Sequence, residues 1–409
     1  MRLPILFRFS LYGFLKNQRY YEPFLILAFR QKGLSFFLIG ILIGFRELCV
    51  NLFEIPSGAI ADLYGRRRSM ILSFCAYIVA FAAFGWSRSL IVLFGAMFFY
   101  ALGNAFRTGT HKAMIFDWLR LDGRSHEKTK VYGYTRSWSK MGSAVSVLIA
   151  SALVFYSGNY SYIFWFSIIP YVLNIINFLG YPAVLDGEQK HEFSMKVVGA
   201  LLWKAFRQIA EQPPLRRLLG EAVGFETGFK ASKDYLQPIL KQTAIALPLL
   251  LALDQQKRVT LLIGVVYFVL NLLSSVASRQ AHRLVDWRGG EASATQFMWR
   301  VNGLLFVCLV PLLWFKQYAF VIVAFIMLTA LQDLWRPVLV GRINASSSPE
   351  MGATILSIES QAKSGATMLL APLLGFVVDR IDAFWPVGIV GAVIATVFIL
   401  SSHRKRFDF

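Results

Sequence analysis

Glu54-Ile55-Pro56-Ser57-Gly58-Ala59-Ile60-Ala61-Asp62-Leu63-Tyr64-Gly65-Arg66-Arg67-Arg68 is the stretch whose reading decides the fold. It lies between two long apolar runs, one entering from Leu34 and one starting at Met70. Gly65 supplies a tight turn between them. A small residue such as Gly58 lets a second helix pack close inside a membrane. Asp62, near a helix end, can meet the positive N-terminus of another helix. Arg66, Arg67 and Arg68 hold such a loop on the cytoplasmic side.

Outward from this stretch, apolar runs recur along all 409 residues, of which 56% are hydrophobic. Runs near twenty residues read as repeated membrane spans. Twelve are predicted, at 11–30, 34–61, 69–87, 89–118, 131–156, 160–181, 214–240, 259–281, 293–315, 317–341, 353–378 and 384–402. Lys16, Asn17, Gln18, Arg19 and Glu22 interrupt the first of them. The expected fold class is therefore an all-α membrane protein of twelve transmembrane helices in two six-helix bundles. The domains are 1–181, a cytoplasmic linker 182–213 and 214–409. Within the linker, 193–209 alternates apolar and basic residues at helical spacing, as an amphipathic helix does.

The formal net charge of +19 would suggest nucleic acid in a soluble chain. Here it reads as the cytoplasmic loop bias of a membrane protein, and no nucleic-acid partner is expected. Basic residues crowd Arg66–Arg68, Arg120–Lys130, the linker, Arg279–Arg288 and Arg404–Arg406. The opposite loops carry fewer, among them Arg30, Lys32, Arg88, Lys241 and Lys316. Both termini are therefore expected in the cytoplasm. The N-terminal stretch lacks the charged leader and cleavage site of a signal peptide. Cys49, Cys75 and Cys308 fall inside apolar runs without metal-ligand spacing, so no metal or cofactor is expected.

The Gly58-x-x-x-Asp62-x-x-Gly65-Arg66-Arg67 pattern resembles the loop between the second and third helices of the major facilitator superfamily (MFS) of transporters. A degenerate second copy, Asp286-Trp287-Arg288-Gly289, follows the eighth predicted span, with His282 at the place of Gly58. That suits the parallel-repeat plan of the family. Gly103 to Asp117 is similar to the fourth helix of several bacterial branches, and Ala371-Pro372-Leu373-Leu374-Gly375 to the eleventh helix of many members. The resemblance implies that Asp62 meets the start of the eleventh helix near Ala353-Thr354, and that Arg66 pairs with Asp117. With Gly58 and Gly65 these residues would form a cytoplasmic gate. It also implies a cavity lined by the first, fourth, seventh and tenth helices, and a bacterial inner-membrane location.

A charge at mid-membrane costs about 2.5–3.5 kcal/mol on insertion scales, yet the spans hold many. The four helices that the resemblance assigns to the cavity carry Arg19, Glu22, Arg107, His111, Glu226, Lys230, Asp333 and Arg336. Glu226, Lys230 and Asp234 step by four along one face, as do Arg107 and His111, Arg136 and Lys140, and Glu359 and Lys363. Glu359 and Lys363 can pair locally, whereas Arg107/His111 and Arg136/Lys140 have no local acid. A polar, anionic substrate bound by Arg107, His111, Lys230, Arg336 and Arg19 is the expectation, with Glu22 and Glu226 as proton carriers. The expected partners are this small molecule, protons and the lipid bilayer, for a monomeric carrier.

Two departures from the family count against drug/proton antiport. The region Phe98–Gly103 has no arginine, and the fifth span has no Gly-Pro-x-x-Gly. Proton-driven export of small amphipathic compounds is nevertheless the alternative. An enzyme is not expected, since no catalytic acid/His constellation or metal cluster occurs, and without a Gly-x-x-x-x-Gly-Lys-Ser/Thr loop ATP-driven pumping is not expected either.

Overall fold

The computed structural model describes residues 5–124, 127–186, 195–246, 251–346 and 352–403. Among these no strand occurs. The helices are α1 (Ile5–Lys16), α2 (Leu25–Gln31), α3 (Phe36–Tyr64), α4 (Arg66–Trp86), α5 (Leu90–Arg107), α6 (Thr110–Leu121), α7 (Lys128–Ser157) and α8 (Ser161–Leu179). They continue as α9 (Met195–Glu211), α10 (Pro213–Lys233), α11 (Leu236–Ala246), α12 (Gln255–Trp287), α13 (Glu291–Trp314), α14 (Tyr318–Ser346), α15 (Gly352–Ile381) and α16 (Pro386–His403). Among the described residues, nine helical stretches are long and apolar enough to cross a membrane. The first, seventh and twelfth predicted spans take other forms. Two are broken helices, and the last contains a shorter apolar stretch, Pro386–Leu400.

The first break has a local cause. The span predicted at 11–30 begins by Ile5 and is interrupted after Lys16, where α1 gives way to a polar stretch. Asn17 Nδ2 donates to the Gly13 carbonyl at 2.7 Å, and Gln18 Nε2 to the Gly142 carbonyl at 3.2 Å. These bonds satisfy backbone acceptors at and near the break. Pro23, in the short 3-10 turn Glu22–Phe24, then restarts the helical path into α2. The span predicted at 214–240 likewise breaks after Lys233 and resumes at Leu236.

The span predicted at 89–118 is corrected too. Thr108 and Gly109 separate α5 from α6, and Gly109 takes φ +79°, a conformation that glycine adopts without strain. Arg107 and His111 therefore do not share one continuous helix, and the four-residue spacing does not describe their relation. The amphipathic helix expected over 193–209 is present as α9, which exposes Trp203 and Phe206 beside Lys204 and Arg207. Residues 187–194 of the linker and 404–406 of the basic tail lie outside the described residues.

The chain divides into two compact units. The first comprises 1–34, 42–193 and 250–271, the second 35–41, 194–249 and 272–409. In the first unit α1 packs on α7 and α8, and α4 packs on α5 and α8. In the second, α10 packs on α15 and α16, and α13 on α14 and α16. The same order of pairing is thus used twice, once per unit. Outward-facing apolar side chains such as Ile91, Leu179, Leu304 and Leu369 remain exposed, as a lipid-facing surface requires.

Candidate functional site

Each unit holds a charged cavity beside its broken helix. The cavity of the first unit has a volume of about 280 Å³. Lys16, Asn17 and Arg19 border it from the break after α1, His111 from α6, and Arg136 and Lys140 from α7. No carboxylate is among its described lining residues. His111 lies in an aromatic setting, its ring 4.0 Å from that of Tyr12, with Tyr181 Oη 3.4 Å from Nε2. Lys16 Nζ stands 5.5 Å from the Tyr12 ring, in cation–π range.

Arg107 does not line this cavity but lies close enough to Lys16, Arg19 and Tyr12 to interact with each electrostatically. Its Nη2 donates to Asn104 Oδ1 at 2.9 Å and its Nε to Tyr77 Oη at 3.5 Å, both neutral acceptors. Among the described residues no carboxylate pairs with Arg107, Lys16 or Arg136, whereas Arg19 Nη1 lies 3.6 Å from Glu22 Oε2. Tyr77 also stacks on Tyr171, with ring centroids 4.7 Å apart. Tyr100 shares a 2.8 Å hydroxyl hydrogen bond with Tyr21.

The cavity of the second unit, about 310 Å³, is lined by Glu226, Lys230, Lys233 and Lys363, with Gln332 and Ser364 nearby. Behind it sits an ion-pair quartet. Arg336 Nη1 reaches Glu226 Oε1 and Glu359 Oε2, each at 3.0 Å. Lys363 Nζ reaches Glu226 Oε2 at 2.5 Å and Glu359 Oε1 at 2.9 Å. The local Glu359/Lys363 pair read from the sequence therefore exists, but as one edge of a four-membered cluster joining α10, α14 and α15. Arg336 has two carboxylates as partners. Glu359 is 0% exposed, so two cations and several hydrogen bonds compensate its burial.

The Gly58–Arg68 stretch builds a third cluster within the first unit. Arg66 Nη1 pairs directly with Asp117 Oδ2, and Arg120 Nη2 lies 3.3 Å from the other carboxylate oxygen. Gly65 takes φ +95°, and the turn brings the start of α4 against Asp186. Asp186 Oδ1 accepts the Arg67 backbone N–H at 2.8 Å, which caps the helix at its positive end. Arg67 Nη1 also donates to the Tyr181 carbonyl at 3.1 Å. Within the first unit, a Cβ added to Gly58 would meet nothing within 4 Å, so close packing there is not what calls for a glycine. The Asp62 side chain lies outside the described residues.

Several of these residues were not among the expected site residues. Lys16 follows Tyr12 by four on α1, and that aromatic–basic spacing was the available signal. Arg136, Lys140, Glu359 and Lys363 stood out as charges but not as site residues. Asp186 falls in the segment assigned to the linker, and no spacing links it to Arg67.

The sequence model of the Major Facilitator Superfamily matches residues 17–358. The chain belongs to the Major Facilitator Superfamily. As an MFS protein it is a multi-pass membrane transporter by family rather than an enzyme. It is 26% identical over 235 residues to the Bacillus subtilis (strain 168) protein named Uncharacterized MFS-type transporter YxaM, a match covering 54% of each chain. It thus spans about half the length of that relative. The MFS fold also shows in solved structures. The nucleoside transporter NupG aligns with a TM-score of 0.77 at 11% identity, over 98% of both chains. A POT family transporter in complex with 5-aminolevulinic acid aligns with a TM-score of 0.71 at 14% identity, over 97% of this chain and 95% of that one.

Proposed function

We propose that this MFS transporter moves a small organic anion by alternating access and couples that movement to protons. The observation that carries the reading is the cavity of the first unit, lined by bases and by no described acid. Fixed positive charge in a membrane protein is costly unless it is compensated. A carboxylate or phosphate brought by the substrate compensates Lys16 and Arg136, with which no described carboxylate pairs. Arg107 spends its hydrogen bonds on neutral Asn104 and Tyr77, which leaves its charge for such a group. A guanidinium can grip either anion with two prongs. Arg19 and His111 complete the binding set in this unit; within the second unit, taken by itself, Lys230 and Arg336 are the proposed substrate contacts.

Coupling follows from charge balance in the quartet. An anion that draws Lys363 or Arg336 away leaves Glu226 without its counter-charge, and uptake of a proton restores neutrality. Glu22, beside Arg19, plays the corresponding part in the first unit. Gly58, Asp62, Gly65, Arg66 and Asp117 form the cytoplasmic gate. The proposed topology has twelve crossings, the broken helices included, with both termini in the cytoplasm of a bacterial inner membrane and a monomer as the working form.

Binding of organic carboxylates and phosphates to the purified protein tests the reading. Wild type binds an anion, and Arg107→Lys weakens it about tenfold, equivalent to ~1.4 kcal/mol, despite keeping the charge. Equal binding by Arg107→Ala, or ligands that are only neutral or cationic, refutes it. In proteoliposomes Glu226→Gln keeps exchange but loses accumulation driven by a pH gradient. One observation favours a second reading: the Tyr77–Tyr171 stack with Tyr100 against Tyr77 offers aromatic surface suited to an amphipathic compound. Neutral or cationic ligands would make proton-driven export the function.

A further inference from the structure

A second cavity in the second unit, of about 370 Å³, shares no lining residue with the one beside the quartet. It lies where helix ends converge. Pro213 opens α10, Thr295 is in the second turn of α13, Arg342 is near the end of α14, and Phe398 near the end of α16. In spanning helices such ends lie at headgroup depth rather than at mid-membrane.

Three guanidinium groups line it, those of Arg217, Arg300 and Arg342. One carboxylate, Glu221, is among the lining residues, and both its oxygens are taken. Arg217 Nε lies 3.0 Å from Oε1, and Arg342 Nη1 lies 3.2 Å from Oε2 and 3.1 Å from Thr295 Oγ1. Arg300 is exposed and has no ion-pair partner among the described residues. The lining therefore keeps an excess of positive charge after Glu221 is counted. One wall is apolar: Leu218 and Ile399 line it with Phe398, whose ring stacks on Trp299 at 4.9 Å.

We propose that this cavity binds a phosphate anion of the kind carried by an acidic phospholipid headgroup. Guanidinium forks match phosphate oxygens, and basic pockets between transmembrane helices at a membrane face suit anionic headgroups. The apolar wall offers the first carbons of a lipid tail a surface that a free ion does not need. The site is independent of the transport cavity, and its occupancy bears on stability rather than on substrate selection.

The test follows thermal unfolding of the full-length protein in detergent, with short-chain phosphatidylglycerol, phosphatidylcholine or inorganic phosphate added. Phosphatidylglycerol raises the midpoint and phosphatidylcholine does not. Arg300→Gln, which breaks no ion pair, keeps the unliganded midpoint and needs about tenfold more phosphatidylglycerol for half the effect. Arg217→Gln, which leaves Arg342 on Glu221, is the second variant and shifts the response the same way. If inorganic phosphate alone reproduces the rise, the anion site stands and its source is free phosphate. The proposal is overturned if phosphatidylcholine acts equally, if no phosphate compound acts, or if both variants respond as wild type does.

Discussion

In the first unit the cavity sets Lys16, Arg19, His111, Arg136 and Lys140 around a space with no acid in its described lining. In the second, Glu226 stands among Lys230, Lys233 and Lys363 and is tied into a neutral quartet. The two units repeat the same helix pairing and the same broken entry helix, yet they treat charge in opposite ways. A buried charge stays stable either by carrying its own counter-ion or by borrowing one. The quartet carries its own, so its energy goes into holding α10, α14 and α15 together. In the base-lined cavity Lys16 and Arg136 have no described carboxylate partner, so an anionic ligand would supply the counter-charge. The contrast between the units is thus one of charge compensation.

The sharpest way to break this contrast is to remove one acid from the quartet. Glu359 is fully buried, and Glu359→Gln leaves Arg336 and Lys363 to share Glu226 alone. Breaking a buried pair costs 3–5 kcal/mol; because Arg336 is 42% exposed, the low end applies, about 3 kcal/mol. The unfolding midpoint in detergent should fall accordingly. Glu359→Gln with Lys363→Met removes one charge of each sign and should recover most of the loss. A single variant as stable as wild type would mean that the quartet does not hold its helices.

Neutralising a base in the first unit should act with the other sign. Lys16→Gln and Arg136→Gln remove charges that no described carboxylate compensates. Stability should stay within about 0.5 kcal/mol of wild type or rise. Anion affinity should drop about tenfold, read by titration on the same sample. If stability instead falls as far as in Glu359→Gln, the cavity of the first unit is also internally compensated, and the contrast between the units fails.

The fold was legible because apolar run length and the Gly58–Arg68 pattern report membrane spans and family directly. The helix breaks were legible only where polar residues accumulate, as at Lys16–Arg19. The break after Arg107 was missed because Thr108 and Gly109 are compatible with a helix, and the decisive term is the positive φ of Gly109. In the site, sequence spacing found charges that share a helix face. It could not find partners on other helices, so Glu359 and Lys363 read as a local pair although Arg336 and Glu226 complete the cluster. Asp186 was invisible for the same reason. It caps α4 from more than a hundred positions away in the chain.

The proposed gate should give a smaller thermodynamic effect than the quartet, with a kinetic readout. Asp117 is 23% exposed and shared with the exposed Arg120, whereas Glu359 is fully buried, so losing the Asp117 charge costs less, about 1 kcal/mol. Asp117→Asn should leave anion affinity near wild type and slow flux in proteoliposomes by about tenfold, since a state held by that pair loses population. Normal flux would separate the Gly58–Arg68 motif from gating here.

The most local effect is expected at the other end of the second predicted span, where the second unit shows a relation that residue spacing does not reveal. Asp379 on α15 accepts the backbone N–H groups of Phe36 and Phe37, Oδ1 at 3.0 Å and Oδ2 at 2.7 Å. One carboxylate thus caps the first turn of α3, whose leading N–H groups have no partner within the helix. The residues that do this read Gly375-Phe376-Val377-Val378-Asp379, the same Gly-x-x-x-Asp spacing as Gly58 to Asp62. In both, the aspartate follows a glycine by one helical turn. Asp379→Ala should cost about 1 kcal/mol, and Asp379→Asn only a few tenths, because the amide oxygen still accepts one of the two bonds. Amide exchange at Phe36 and Phe37 should quicken in Asp379→Ala, while exchange in the middle of α3 stays slow. If Asp379→Ala leaves exchange at both residues unchanged, other groups satisfy those amides, and Asp379 does not anchor the start of α3.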